Sequence, residues 1–355
     1  MGRARIAVPA GGFRDIAVLR LSSLGDVVLT LPVVHALRAA YPDAKLHYWV
    51  KEEYADLVRF DPAIDHVRVL EKDARRVEDL VSMGAELEGC DLIVDLHGSA
   101  RTRLLTWRQK APVLRAASQR LLRERWVRAR WTRPRPADHA TARYAAALSA
   151  IPLAVAGEPR VSAGAAAEAW AEEHLAGWGS GPAPLALCPG AKHATKRWPE
   201  ARWCALDEAL ARAGERRLVF TTAAERRALP ALAKRIEADA SARWCVEPLP
   251  RMAALLSRAA AAVTHDSGLM HLAAARGTPV VAVFGSTSPV LGFAPCGEGH
   301  VVLCRNEPCQ PCTLHGLESC PKGHFRCMTG IEVADVLGAL ASMRPVRLSP
   351  AEPVA

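Results

Sequence analysis

The chain has 355 residues, half of them hydrophobic and only 5% aromatic, which excludes a disordered chain and allows about two domains with aliphatic cores. Its formal charge of +9 is concentrated in one place: residues 101–135 hold twelve Lys or Arg and one acid, Glu124, while the other 34 basic residues face 36 acids. No run approaches the roughly 18 uninterrupted apolar residues of a membrane span, and Arg14 and Asp15 break any signal-peptide core. The sequence therefore reads as cytoplasmic, with its ten cysteines as thiols or metal ligands rather than disulfides.

The apolar run at 16–21 predicts a strand covered on both faces, followed by a turn over Ser22, Ser23 and Gly25 and a helix from about Asp26 to residue 40, with Val27, Val28, Leu31 and Val34 on its inner side. Asp26 then stands at the carboxyl end of a strand, where ligands bind in open α/β sheets. Two readings apply: Asp26 caps the helix, or it projects into a crevice as a functional carboxylate. Further strands at 45–50, 66–70 and 91–96 alternate with helical patterns at 52–58 and 74–88, which predicts a parallel sheet of βαβ units. The basic stretch follows, interleaved with Trp107, Trp126 and Trp131. Its skew points to an anionic partner: nucleic acid, a membrane surface or a large anionic substrate.

Residues 151–165 read as a linker, and a second alternating series begins beyond them. Strands are expected at 184–188, 217–222, 260–266 and 279–285, with a helix running from Pro199 to about Gly214 and a last helix over 331–343 before a frayed tail. No G-x-G-x-x-G follows the first strand, which disfavours a nicotinamide dinucleotide, and no D-x-D offers a metal grip on a nucleotide diphosphate. Instead, the loop at 187–203 gathers Lys192, His193, Thr195, Lys196 and Arg197 before a helix start, a cationic setting for a diphosphate. The second cluster is "VTHDSGLMHLAAARGTPVVAVFG", in which a strand ends at His265 and Asp266 and a short helix opens at Ser267 and Gly268. Backbone N–H groups of Ser267, Gly268 and Leu269 would face an anion there, and His271 projects from the same end.

Together "SSLGDVVLTLP", "PGAKHATKRWPEARW" and "HDSGLMHLAAARGTPVVAVFGSTSP" resemble the motifs of the lipopolysaccharide heptosyltransferases, glycosyltransferase family 9, in order over residues 15–340. The Pro-Gly-Ala form and "DSGLMH" look closer to the heptosyltransferase II type. The resemblance implies a GT-B fold, two Rossmann-like α/β domains facing across a cleft: an acceptor-binding domain over 1–160, a nucleotide-sugar-binding domain over 161–330, and a helix and tail over 331–355. It implies inverting, metal-independent transfer of heptose from ADP-heptose to the inner core. Carried over by position, it makes Asp26 catalytic, gives Lys192, Thr195, Lys196, Glu225, Asp266, Ser267, Gly268, Leu269 and His271 to the donor, and Ser23, Gly25, His97, Arg101 and Arg103 to the acceptor. The implied partners are a nucleotide sugar, an anionic lipopolysaccharide core and the inner face of the inner membrane, and not nucleic acid. Two rivals stay in view: a nucleotide-sugar epimerase of similar fold, and a non-catalytic RNA- or membrane-binding module.

Cys309, Cys312, Cys320 and Cys327 form C-x2-C-x7-C-x6-C, which suits a structural zinc or an iron–sulfur cluster and equally four reduced thiols in a loop. Cys90, Cys188, Cys204 and Cys245 sit among apolar neighbours and read as core.

Overall fold

The computed structural model describes residues 6–70, 77–118, 123–125, 127 and 137–343. Two compact units divide the chain: Met1–Leu121 with Asp138–Gly164, and Leu122–Ala137 with Ala165–Ala355. Trp126, Trp131 and the basic residues 120, 128, 130, 133 and 135 lie outside the described residues.

In the first unit, β1 (Asp15–Leu19), β2 (Lys45–Lys51), β3 (His66–Leu70), β4 (Leu92–Asp95) and β5 (Val113–Arg115) form one parallel sheet in the order β3-β2-β1-β4-β5. Continuous burial of Ile16, Ala17, Val18 and Leu19 explains the unbroken apolar run of β1, the pattern of a strand covered on both faces. Helix Leu24–Ala40 buries Val27, Val28, Leu31, Val34 and Leu37. It begins two residues earlier than expected, so Ser23 is the cap and Asp26 is the third helical residue. Residues 52–58, expected as an α-helix, instead form a six-residue 3-10 helix, Glu52–Leu57. Lys51 precedes that turn without a side-chain cap, and Pro62 follows soon after. β5, three residues inside the arginine-rich stretch, carried no periodic signal.

The second unit holds β6 (Leu185–Cys188), β7 (Arg217–Phe220), β8 (Ala242–Cys245), β9 (Ala261–His265), β10 (Val280–Phe284) and β11 (Val301–Cys304), parallel in the order β11-β10-β9-β6-β7-β8. The edge strands β8 and β11 were not expected; each is four residues long and only partly buried. Leu185, Leu187, Val219, Val263, Val281 and Val283 pack with Trp198, Trp203, Leu206 and Leu210 in one aliphatic core. Buried Arg217 is held by Asp207 at 3.0 Å and Asp239 at 2.6 Å, which offsets the desolvation of its charge. Cys188 and Cys245 are buried as expected, and Cys90 and Cys204, half-buried, pack against the cores of the first and second unit respectively. No described helix is long and apolar enough to cross a membrane.

Candidate functional site

The sheet of the first unit reverses its strand order between β1 and β4, and the carboxyl ends of such neighbours open a crevice. The two ends are tied together: Leu96 N donates to Leu19 O at 3.0 Å, and Arg20 Nη1 donates to Leu96 O at 2.7 Å. Asp26 stands over this point with both oxygens engaged. Its Oδ2 accepts from Ser23 N at 3.4 Å and Ser23 Oγ at 3.0 Å, closing a capping box. Its Oδ1 meets Arg20 Nη2 at 2.8 Å and accepts the Tyr144 hydroxyl at 2.6 Å. The capping reading of Asp26 thus holds at Oδ2, while Oδ1 is held by Arg20 and Tyr144.

Burial works to raise the Asp26 pKa, but the Arg20 charge, with hydrogen bonds from Tyr144 and Ser23, outweighs it and holds the carboxyl below its usual range. Arg20 lies with its guanidinium 5.1 Å from the Tyr144 ring centre. Burial, with Asp26 beside it, raises the Tyr144 phenol, which stays a hydrogen-bond donor.

His97 leaves β4 at the same crevice. Its backbone N–H and that of Gly98 donate to buried Asp95 Oδ1 at 3.1 and 2.8 Å, while Arg115 Nε holds Asp95 Oδ2 at 3.1 Å. Burial and the Arg20 charge push the His97 pKa down to about 4, so the ring is neutral near pH 7, and its buried Nδ1 makes no hydrogen bond. Ser23 is exposed and Gly25 buried at the helix start. Arg101 (half-buried) and Arg103 (exposed) occupy helix Ala100–Leu105, which Ser99 caps. Sequence reasoning missed Arg20 and Tyr144. Arg20 could have been found as the one charge inside the run 16–21; Tyr144, 118 residues from Asp26, gave no sequence signal.

The second unit repeats the plan, with its strand order reversing between β6 and β9. Lys196 Nζ lies 2.8 Å from Asp266 Oδ2, which also accepts the Thr287 hydroxyl at 2.7 Å. Directly after Asp266, helix Gly268–Ala275 starts with Ser267 as its cap in extended conformation, and the buried Ser267 Oγ makes no hydrogen bond. Leu269 is half-buried in the first turn, and His271 is buried one turn in. Lys192 is exposed on the loop after β6. Glu225 ends up beside that loop: its Oε2 accepts from Thr222 N at 2.8 Å and Thr222 Oγ1 at 2.9 Å, and a Cβ built on Gly190 would sit 2.2 Å from its Oε1. Gly190 is therefore required by close approach.

Thr195 departs from its expected donor-facing place. It is buried, its hydroxyl bonded to Ser286 Oγ at 2.8 Å and accepting from Leu317 N at 2.8 Å, so it holds the loop. His265, which sequence reasoning treated only as a strand end, is a second fixing point. Trp198 N donates to its Nε2 at 2.8 Å, which leaves the ring proton on Nδ1, 3.3 Å from Gly190 O. Burial, reinforced by the Lys196 and Arg197 charges, lowers its pKa to about 4. In chemical terms, the first crevice presents an ionised carboxylate beside a neutral imidazole. The second presents Lys196, paired with Asp266, and the start of helix Gly268–Ala275 directly after that carboxylate, the end of a helix that favours an anion.

The family model "Glycosyltransferase family 9 (heptosyltransferase)" matches residues 80–319. Lipopolysaccharide heptosyltransferase 1 of Pseudomonas aeruginosa is 30% identical over 325 residues, 84% of this chain and 85% of that protein. Lipopolysaccharide heptosyltransferase 2 of Salmonella typhimurium is 33% identical, but over 111 residues, 30% of this chain and 32% of its own. The expected leaning to type II is thus a likeness of one stretch, while a type 1 enzyme matches along most of the chain. Among solved structures, a family 9 glycosyl transferase from Veillonella parvula superposes with a TM-score of 0.77 at 22% identity, covering 96% of this chain and 99% of the other. The E. coli heptosyltransferase WaaC, solved with ADP-2-deoxy-2-fluoro heptose, gives 0.65 at 20% identity, covering 93% and 100%.

Proposed function

Because the chain belongs to glycosyltransferase family 9, the heptosyltransferases, we propose that it transfers heptose from ADP-heptose to the inner core of lipopolysaccharide, with inversion and without a catalytic metal. What carries this reading is the Asp26 carboxylate, held ionised at the carboxyl end of β1 with its side chain 20% exposed. An acceptor hydroxyl hydrogen-bonded to it passes its proton to the carboxylate as the oxygen bonds the anomeric carbon. The bond from that carbon to the phosphate oxygen breaks on the opposite face, and ADP leaves with the electron pair, which inverts the centre.

The departing charge falls to Lys196, Lys192 and the amides at the start of helix Gly268–Ala275, a preorganised electrostatic role. In this proposal Glu225, which lies beside Gly190, takes the nucleotide's ribose, and His271 lines the donor end. Ser23, Gly25 and His97 meet the acceptor sugar, and Arg101 and Arg103 meet its phosphates. Trp107, 73% exposed at the end of the same basic helix, with Arg108 and Lys110 following it, makes peripheral contact with the cytoplasmic face of the inner membrane.

The test is purified protein with ADP-heptose and a panel of truncated core acceptors, read by mass spectrometry. One heptose added to one acceptor is expected, and the panel assigns the acceptor type. Transfer from another sugar nucleotide in preference to ADP-heptose would overturn the donor. Isomerised donor formed without acceptor would replace the transferase reading with an epimerase.

A further inference from the structure

Cys309, Cys312, Cys320 and Cys327 are free thiols, and among the described residues no three His, Cys, Asp or Glu groups are placed to hold a metal ion. A different buried group has no part in the chemistry described so far: Thr287, 1% exposed in the loop after β10. Its hydroxyl donates to Asp266 Oδ2 at 2.7 Å, the same oxygen that Lys196 Nζ approaches at 2.8 Å. β9, which ends just before Asp266, lies between β6 and β10 in the sheet, so one carboxylate oxygen joins the loops that leave all three strands. The two partners differ in freedom. The Thr287 backbone is pinned, with Gln310 Nε2 donating to Thr287 O at 2.9 Å and to Gly285 O at 2.6 Å, and its side chain is short. Lys196 carries its charge on a flexible four-carbon stem.

The ion pair sets a requirement for the reaction proposed above. Lys196 must serve the diphosphate, yet without donor its charge is matched by Asp266, and the two side chains are only 14% and 12% exposed. When the ammonium turns to phosphate, a carboxylate so little exposed loses its counter-charge, which is costly unless another donor stays on it. The neighbouring Ser267 Oγ makes no hydrogen bond and does not supply one. Thr287 does. We propose that Thr287 is a positioning residue for the nucleotide diphosphate: its hydroxyl holds Asp266 in place while Lys196 exchanges the carboxylate for phosphate. Thr287 itself touches no substrate and acts only through Asp266 and Lys196. The exchange rests on the reading that Lys196 receives the diphosphate, and it needs the Thr287 hydroxyl most once the ammonium has left. The hydroxyl therefore lowers the cost of binding the donor.

The measurement is ADP affinity by calorimetry on the full chain, for Thr287→Val, for Thr287→Ser, and for Asp266→Asn with and without Thr287→Val. Thr287→Val keeps the shape of the side chain and removes the hydroxyl, so ADP should bind about tenfold more weakly. Thr287→Ser keeps the hydroxyl and should bind ADP within about twofold of wild type. In the Asp266→Asn background no carboxylate competes for Lys196, and the valine substitution should cost nothing further, a coupling that a mere loss of packing would not produce. Thr287→Ala removes the same hydroxyl and decides where the valine variant does not fold. Wild-type affinity in Thr287→Val, or an equal loss with and without the Asp266 carboxylate, would overturn the proposal. The readout is binding and needs no turnover, so failure of the transferase reading in the acceptor assay and failure at Thr287 are seen separately.

Discussion

Asp26→Asn separates the two roles that the carboxylate combines. The amide keeps an oxygen for Arg20 and Tyr144 but turns an NH2 group onto Ser23, whose N–H and hydroxyl both donate there. The cap is then impaired, at about 1 kcal/mol, and the two charge-assisted bonds become ordinary ones, at about 1 kcal/mol each. The predicted loss of stability is therefore roughly 1–3 kcal/mol, which leaves most of a protein stable by about 5–15 kcal/mol folded. Loss of a general base, by contrast, lowers the rate by about 10²–10⁴. The two effects differ enough to be told apart in one experiment: urea unfolding alongside kcat at saturating ADP-heptose, with ADP affinity by calorimetry. The expected result is a mildly destabilised protein that binds ADP as the wild type does and turns over at least about a hundredfold more slowly. A variant with the stability loss but kcat within about threefold of wild type would reduce Asp26 to a cap and refute the base assignment.

Tyr144→Phe removes one of the bonds that hold Asp26 low, so the acid limb of kcat/KM should move to higher pH; an unchanged limb would separate Tyr144 from the base. Lys196→Ala should weaken ADP binding about tenfold or more while leaving acceptor KM near wild type, and equal losses in both would count against a diphosphate role. Gly190→Ala places a methyl group 2.2 Å from Glu225 Oε1, so donor KM should rise with little change at the acceptor. His265 is neutral in the fold with a pKa near 4, below the ordinary 6.5, so the unfolded chain takes up the extra proton as pH falls. Stability from this residue is present above pH 6.5 and declines toward pH 4, by up to roughly 3 kcal/mol. His265→Gln, which can still accept from Trp198 and donate to Gly190, should flatten the drop in urea midpoint between pH 7 and pH 5.

The sequence carried the fold wherever burial is complete. β1, β4, β6, β9 and β10 are covered on both faces and so read as unbroken apolar runs. β5, β8 and β11 escaped because short edge strands have only one neighbour and little burial to mark them. At the site, local residues were legible and distant partners were not. Ser23, Asp26 and the Asp266–His271 stretch lie within a few residues of a strand end, where chain order alone predicts proximity. Tyr144 and Thr287 reach the same carboxylates from other parts of the chain through tertiary packing, which leaves no periodic trace. Thr195 shows the opposite error: its place among cationic loop residues suggested a ligand contact, but its hydroxyl is spent inside the protein on Ser286 and Leu317.

The clamp on Asp26 constrains the proposed mechanism. A general base works best with a pKa near the operating pH, whereas Arg20, Tyr144 and Ser23 move this one the other way. Such a carboxylate is too weak to generate an alkoxide before the sugar–phosphate bond begins to break. It suits a reaction in which the anomeric carbon already carries positive charge, so that the hydroxyl becomes acidic as it bonds and the proton moves late. The barrier is then set mainly by stabilisation of the departing diphosphate, which falls to Lys196 and the amides of helix Gly268–Ala275. On this reading Asp26 contributes by staying ionised and fixed in place until that late proton transfer, and Arg20 contributes by keeping it so. Arg20→Lys should therefore test the clamp without removing its charge: lysine retains the cation but not the simultaneous hold on Asp26 Oδ1 and Leu96 O. A fall in kcat with ADP affinity intact is expected, and an unaltered kcat would show that the charge alone suffices.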